Sequence, residues 1–210
     1  MNEKILPLFT EEKTIKKIQN KLPKLFQIAE LESQRAGKVG MEVGSIRERI
    51  IVSLLVYKFG ERNVETEIPI TEPEVDVKLF GDSISIKTKS GNSYTGVKLI
   101  WTVDAENAVE FQNTYKPSCD IIFVKINWGS KGGLFYIPLE IQLEVFQLLG
   151  RENYIKLPSK GTNPRGVEIS TKALQMLVEH KKNKFVNIDW KKEDIKFNAF
   201  KRWIDLWDQE

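Results

Sequence analysis

Strict alternation of apolar and polar residues between Glu74 and Lys89 predicts a β-hairpin with one buried face. Gly81-Asp82 lies in the middle of this stretch, and a Gly-X pair suits a two-residue type II′ turn. Counting outward from that turn pairs Lys78 with Ser85, Asp76 with Lys87 and Glu74 with Lys89, all on one face. The other face should pack on a core through Val75, Val77, Leu79, Ile84 and Ile86.

The Asp76–Lys87 pair predicted by this hairpin has two interpretations. Opposite charges facing each other across a hairpin commonly cover the solvent side of a sheet. A carboxylate and a lysine held together on a rigid sheet can instead hold Mg²⁺ and activate a water molecule beside a phosphate. The alternation itself does not choose between a surface ion pair and a catalytic pair.

Helical spacing of apolar residues predicts a helix over residues 45–56, just before the hairpin. Glu48 on this helix is a candidate second carboxylate, since Asp76 alone is a poor site for a cation that also binds phosphate. The spacing Ser45-x-x-Glu48 is equally that of a capping box, in which the glutamate side chain bonds the N-cap amide. Both roles of Glu48 stay open at this level.

The remaining pattern predicts an α/β (mixed α+β) fold, with a central mixed sheet flanked by helices. Residues 10–34 indicate a helix that is kinked or broken at Pro23, and residues 64–70 indicate a strand. Residues 120–127 are almost continuously apolar, as in a strand covered on both faces, and a second strand should end at Pro138. Further helices are predicted at 139–149, closed by Gly150, at 174–178 and at 197–207, whose aromatic stripe suits core or dimer packing.

Composition narrows the class of protein. The 210 residues, 41% of them hydrophobic, suffice for one substantial core, so we expect a single domain over 1–210. A net charge of +3 is mild, and nucleic-acid binding would therefore need clustered Lys and Arg. The single Cys119 excludes an internal disulfide, and with one histidine no Cys/His zinc site can form. Without an apolar run or targeting segment, we expect a cytoplasmic protein with no membrane association.

Pro73, Asp76 and Ser85-Ile86-Lys87 together resemble the PD-(D/E)xK motif of type II restriction endonucleases. The match departs from the motif in the two-residue gap after Pro73 and in Ser85, which replaces the second carboxylate. The wider stretches at 96–106, 115–120 and 126–129 are similar to the ThaI group of these enzymes.

The resemblance implies a restriction-endonuclease-like core and Mg²⁺-dependent cleavage of double-stranded DNA by a homodimer. It further implies a G·C palindrome, CGCG, cut to blunt ends. In such a site Glu48, Asp76 and the backbone carbonyl of Ile86 would hold Mg²⁺, and Lys87 would orient the attacking water. Relatives with serine in the motif can recruit a downstream carboxylate instead, which would be Asp104 or Glu106.

DNA contacts are expected from Ser85 and from two glycine-containing loops. The 157–166 loop combines Lys160 and Arg165 with small polar residues, the types that contact phosphates and guanine edges. The 91–96 loop follows the catalytic strand. Met41 lies among glycines just before the Glu48 helix, where an apolar side chain can wedge between base steps. Each loop can equally be an ordinary surface loop, and Met41 an ordinary core residue.

Two other functions are compatible with the same residues. A structure-specific junction or repair nuclease would use the same active site on a different DNA substrate. A DNA-binding module without catalysis would carry the hairpin charges as surface decoration. Plasmid cleavage in Mg²⁺ distinguishes the three.

Overall fold

The structure is a computed structural model that describes residues 3–35, 37–40, 42–69, 71–72, 74–101, 104–159 and 166–209. The helices are α1 (Pro7–Thr10), α2 (Glu12–Glu32), α3 (Val43–Phe59), α4 (Ala105–Thr114), α5 (Leu139–Leu149), α6 (Arg151–Tyr154), α7 (Thr171–Val178) and α8 (Lys201–Trp207). The strands are β1 (Gln34–Arg35), β2 (Lys38–Val39), β3 (Val64–Glu65), β4 (Val77–Leu79), β5 (Asp82–Ser90), β6 (Lys98–Ile100), β7 (Asp120–Ile126), β8 (Lys131–Ile137), β9 (Ile155–Lys156), β10 (Val167–Ile169) and β11 (Lys184–Asp189). Short 3₁₀ segments span Glu3–Ile5 and Glu61–Asn63.

Within these residues the main sheet has the strand order β11-β8-β7-β5-β4-β3. Strands β5 and β7 are parallel and their other neighbours are antiparallel, so the sheet is mixed, as predicted. A smaller sheet has the order β6-β10-β9. The mixed sheet flanked by helices confirms the predicted fold class.

Strand β7 lies at the centre of the core and is covered on both faces. Ile122 and Val124 pack with α1, α2 and α3, whereas Ile121 and Phe123 pack with α4, α5 and α7. A strand covered on both faces has no polar side, which explains its almost continuous apolar run. The two helical layers therefore enclose β7 and its neighbour β5, the strand that carries Lys87.

A helix kinked or broken at Pro23 was predicted, and the break is wrong because α2 runs continuously through Pro23. A proline inside a helix removes one backbone hydrogen bond and costs roughly 3 kcal/mol. Ile18, Leu22 and Phe26 are buried along the same helix, and this apolar burial offsets the cost of the proline.

The hairpin closes at Phe80-Gly81, and the predicted turn at Gly81-Asp82 is wrong. Both turn residues have positive φ, +53° and +86°, as a type I′ turn requires. Leu79 therefore pairs with Asp82 and Lys78 with Ser83, a register two residues from the predicted one. Phe80 keeps this rare conformation because its ring packs edge-on against Phe59 at 5.7 Å between centroids and its N–H donates to the Asn63 carbonyl.

The two-residue difference in register leaves the predicted faces intact because side chains alternate with a period of two. Four residues of the predicted apolar face are buried: Val77, Leu79, Ile84 and Ile86. The polar side chains, Asp76 and Lys87 among them, therefore still share the opposite face.

Two other boundaries differ from the prediction. Of the strand predicted over residues 64–70, only β3 is a strand among the described residues, and it pairs with Leu79 and Lys78 of β4. The last helix begins at Lys201 instead of Phe197, and none of its residues is buried, so its aromatic residues do not enter the core. Cys119 is buried directly before β7. No helix in the described ranges is both long and apolar enough to span a membrane.

Candidate active site

Asp76 lies just before β4, and one of its oxygens is held from three directions. Oδ2 accepts hydrogen bonds from Ser85 Oγ at 3.1 Å and from the backbone N–H of Ile86 at 2.5 Å. The Nζ atom of Lys87 lies 3.8 Å from the same oxygen. No donor in the described part of the chain reaches Oδ1, which leaves one oxygen of a firmly oriented carboxylate for a cation.

Glu48 lies on α3 close enough to Asp76 for the two charges to interact. The pKa of Glu48 is raised, first by burial and then by the negative charge of Asp76, with Lys87 opposing. Glu48, Asp76, Ile86 and Lys87 line one cleft of about 570 Å³. The structure thus brings together the four residues predicted to form the metal and water site.

The capping-box role of Glu48 is excluded by where α3 begins. The helix starts at Val43 with Glu42 at its N-cap position, so Ser45 already lies inside the first turn. A capping box needs serine at the N-cap and glutamate three residues later, and Glu48 lies further into the helix. Its carboxylate therefore faces the cleft without a capping role.

A buried ion pair fixes α3 against α2 beside the site. Arg47, the neighbour of Glu48, donates to Glu30 Oε1 at 2.5 Å, and Trp128 Nε1 donates to the same oxygen at 2.7 Å. Lys192 Nζ lies 3.3 Å from Glu30 Oε2. Because a buried charge without its partner is costly, this cluster holds the rotation of α3 and with it the direction of Glu48.

The donor set suits Mg²⁺. This cation prefers oxygen ligands, keeps several waters and usually takes one or two carboxylates from the protein, with substrate phosphate completing its shell. Glu48 and Asp76 provide two carboxylates whose negative charges repel each other. Among the described residues no three His, Cys, Asp or Glu side chains form a metal cluster, so the rest of the shell would come from the Ile86 carbonyl, water and DNA.

The alternative carboxylates have other positions. Asp104 is the N-cap of α4: its two carboxylate oxygens accept from the backbone and side-chain nitrogens of Asn107, at 2.7 and 2.6 Å. Glu106 is exposed in the first turn of α4. Neither residue lines the cleft that contains Glu48 and Asp76.

Ser85 was expected among the DNA-binding residues, but it is only 3% exposed and its hydroxyl donates to Asp76. It therefore positions the Asp76 carboxylate. A glutamate at position 85 would add a third negative charge beside Glu48 and Asp76, whereas Ser85 supplies a hydrogen-bond donor. The departure from the motif therefore replaces a possible metal ligand with a group that orients Asp76.

Glu74 forms a second polar cluster behind the site, instead of pairing with Lys89. Its carboxylate accepts from Ser118 Oγ at 2.8 Å and from the hydroxyl of Tyr115. Burial raises the pKa of Glu74, while those hydrogen bonds and the charge of Lys87 oppose the rise. The alternating pattern marked Glu74 as polar but gave no indication of Tyr115 and Ser118 as its partners.

The opposite wall of the cleft comes from β6, a contribution that the sequence pattern did not predict. Trp101 is 65% exposed at the cleft, and Lys98 Nζ lies 5.7 Å from the centre of its ring. Lys98 also contacts Glu168 Oε1 at 2.5 Å. Burial acts to raise the pKa of Glu168, but hydrogen bonds from Lys98 and Lys156 together lower it. The only sequence signal was the position of β6, directly after the catalytic strand and its loop.

The predicted DNA-reading residues Met41, Lys160 and Arg165 lie outside the described residues. Gly166, at the end of the 157–166 loop, has positive φ and lies so close to Ile100 that a Cβ would come within 2.3 Å of its carbonyl oxygen. Gly166 itself therefore lies beside β6 and the cleft. Gly96 of the 91–96 loop also lines the cleft.

Comparisons with known proteins identify the family of this chain. The chain matches the family model described as restriction endonuclease ThaI over residues 8–209. A solved structure described as a restriction endonuclease in complex with substrate DNA is 60% identical, with a TM-score of 0.90 over 95% of this chain and 96% of that chain. No curated protein matches significantly. The chain therefore belongs to the ThaI restriction endonuclease family and is a type II site-specific deoxyribonuclease.

Proposed function

We propose that this enzyme hydrolyses double-stranded DNA at CGCG as a homodimer, in a Mg²⁺-dependent reaction that leaves blunt ends. The proposed reaction rests on one observation: Glu48 on α3 lies close to Asp76 and Lys87 on the hairpin. The palindromic site follows from the family resemblance. Two-fold DNA symmetry is most simply matched by a two-fold protein.

Glu48, Asp76 and the Ile86 carbonyl would hold Mg²⁺, which supplies charge stabilisation at the phosphate and a more acidic water. Ser85 and the Ile86 N–H keep the Asp76 carboxylate in one orientation through Oδ2. Lys87 orients the attacking water and stabilises the negative charge that develops on the phosphate oxygens. Water attacks the phosphorus, a P–O bond of the backbone breaks, and no covalent bond to the enzyme forms.

DNA would lie along the cleft between α3, β5 and β6. On the opposite wall of the cleft, Lys98 provides a cation for the DNA backbone and Trp101 an aromatic face for a base. Met41 is still predicted to insert between base steps. Lys160 and Arg165 are still predicted to contact phosphates and guanine edges. The cytoplasmic location also stays a prediction.

Cleavage of supercoiled plasmid tests this function. With Mg²⁺ we expect discrete fragments whose ends map to CGCG and are blunt, and no cleavage in EDTA or Ca²⁺. Nicking at scattered positions, or a preference for branched DNA, would contradict the proposed substrate. Discrete fragments whose ends lie at another sequence would support site-specific cleavage but contradict CGCG as the recognition sequence.

A further inference from the structure

Asp76 lies at the end of a segment that has little regular structure to support it. Between β3 and β4 the described residues form no helix or strand. Within that segment the backbone reaches β5 through the Asp76 N–H, which donates to the Ile84 carbonyl at 3.0 Å. Further back along the chain, Glu72 Oε1 lies 2.8 Å from Lys78 Nζ. The direction of the Asp76 carboxylate therefore also depends on how the residues directly before it are held.

Glu74, two residues before Asp76, is held by the segment between α4 and β7. Its Oε2 accepts a hydrogen bond from Ser118 Oγ at 2.8 Å, and the carboxylate also accepts one from the Tyr115 hydroxyl. We call these contacts the Glu74 anchor. Hydrogen bonds to a charged acceptor are stronger than those between neutral groups, so the anchor restrains this part of the segment firmly.

The segment that receives the Glu74 carboxylate is itself fixed by three helices. Tyr115 is the C-cap of α4 and 6% exposed, and its ring lies 5.0 Å from that of Phe111. Its carbonyl accepts from Arg151 Nε of α6 at 3.2 Å. Gln142 of α5 is buried and donates to the Cys119 carbonyl at 2.7 Å. The anchor therefore ties the residues before Asp76 to a rigid part of the fold.

Glu74 is not placed as a further metal ligand. Its charge interacts with those of Asp76 and Lys87, so it lies close to the site. In the described ranges, however, no three His, Cys, Asp or Glu side chains are grouped to hold a metal, and Oε2 of Glu74 is engaged by Ser118. Glu74 can act on the metal site through Asp76, as residues behind a metal ligand commonly do.

We infer that Glu74 is a positioning residue: held by Tyr115 and Ser118, it fixes the backbone of residues 74–76 and so keeps the Asp76 carboxylate in the orientation that binds Mg²⁺. The hairpin packs in the core cluster beside α1, α2 and α3, whereas Tyr115 belongs to the cluster on the other side of the sheet. The anchor thus joins both halves of the core at the metal site. The inference rests on the proposed function, because it takes Asp76 as a metal ligand.

Hydrogen exchange of the metal-free enzyme tests the anchor directly. The double substitution Tyr115→Phe with Ser118→Ala removes both donors and leaves Glu74 in place. The N–H groups of Val75 and Asp76 are hydrogen-bonded to backbone carbonyls, so their exchange measures opening of the segment. It should become about 10-fold faster or more, as expected when hydrogen bonds to a charged group are lost. Exchange in β7 should stay at the wild-type rate, which separates local opening from general destabilisation.

Two variants control for the loss of the hydroxyl groups. Tyr154→Phe removes a hydroxyl from the ring stacked on Tyr115 at 6.3 Å, and that hydroxyl has no hydrogen-bond partner among the described residues. Ser118→Thr keeps the donor, and the exposed position has room for the added methyl group. Both variants should exchange as wild type does.

The metal requirement tests the effect on Asp76. Fluorescence anisotropy of a CGCG duplex, measured while Ca²⁺ is added, follows metal-dependent binding without cleavage. The double variant should need roughly 10-fold more Ca²⁺ for half-maximal binding. Its cleavage rate should return toward that of wild type at saturating Mg²⁺. A purely structural role of the anchor would lower thermal stability and leave the Ca²⁺ requirement unchanged.

These outcomes separate the inference from the proposed function. If wild-type enzyme cuts at CGCG and the double variant matches it in exchange or in Ca²⁺ requirement, the inference is overturned and the function stands. If wild-type enzyme shows no Mg²⁺-dependent cleavage at CGCG while the double variant exchanges faster at Val75 and Asp76, the proposed function is overturned and the anchoring of this segment stands.

Discussion

The two oxygens of Asp76 have different surroundings, and this difference gives the residue its function. Oδ2 is engaged by Ser85, Ile86 and Lys87, whereas Oδ1 has no donor among the described residues. A carboxylate fixed through one oxygen keeps the other in a constant direction without a loss of rotamer entropy on cation binding. Glu48, unlike Asp76, is not held by hydrogen bonds: its carboxylate is half-buried and accepts none from the described residues.

Asp76→Asn separates charge from structure. The amide oxygen can still accept from Ser85 and the Ile86 N–H, so we expect unfolding free energy within about 1 kcal/mol of wild type. Loss of the anion should reduce the single-turnover cleavage rate by about 10³-fold or more, since cation binding contributes several kcal/mol. Asp82→Asn, on the exposed end of the same hairpin, is the control and should cut normally. Substantial cleavage by the Asp76 variant would refute its role.

Glu48→Gln should abolish Mg²⁺-dependent cleavage without destabilising the metal-free protein. Its pKa is raised in the folded state by burial and by Asp76, so the ionised form opposes folding at neutral pH and a neutral glutamine removes that cost. Melting temperature without metal should therefore be equal or higher. Glu61→Gln, in the exposed 3₁₀ segment just after α3, is the matched control. Normal cleavage by the Glu48 variant would return the role to Asp104 or Glu106, or remove the need for a second carboxylate.

At the scale of elements, α3 contributes to both the candidate metal site and an apolar surface groove. One side of this helix carries Glu48 toward β5, and the other side lines the apolar groove with Ile50 and Leu54. Apolar residues at helical spacing explain why the sequence predicted this helix, whereas the apparent cap at Ser45 placed its start two residues late. The orientation of α3 depends on the buried Arg47–Glu30 pair.

Glu30→Gln should destabilise the fold strongly. The substitution leaves the buried Arg47 guanidinium without its counter-ion, and breaking such a pair costs about 3–5 kcal/mol. Urea unfolding measures the loss. Glu32→Gln, exposed at the end of α2, should change unfolding free energy by less than about 0.5 kcal/mol. A loss of similar size in both variants would contradict the anchoring role of the pair.

At the scale of the whole molecule, each chain contains one set of Glu48, Asp76 and Lys87 in one cleft. In the proposed homodimer, each copy would therefore act on one strand of the palindrome.

Mixed dimers of wild-type and Asp76→Asn chains should nick DNA. One active site is intact, so we expect supercoiled plasmid to accumulate as open circles while linear product forms slowly. Gel analysis of dimers purified with two different tags measures the ratio of nicked to linear DNA. Dimers of two wild-type chains are the control and should give linear DNA directly. Linear product from mixed dimers at the wild-type rate would show that one site cuts both strands.

The sequence by itself determined the local properties of this protein. Alternation assigned Asp76 and Lys87 to one face, continuous apolar character placed β7 in the core, and Gly150 correctly ended α5. These predictions succeeded because strand faces, strand burial and helix ends depend on residues close together in the chain.

Only the tertiary structure decided the properties that depend on distant contacts. The hairpin register depends on Phe80 packing against Phe59, and the role of Glu48 depends on α3 packing on β5. The second cleft wall requires β6 to pair with β10, which lies some seventy residues further along the chain. Local patterns carry no information about which distant groups meet, because that choice minimises the free energy of the whole core.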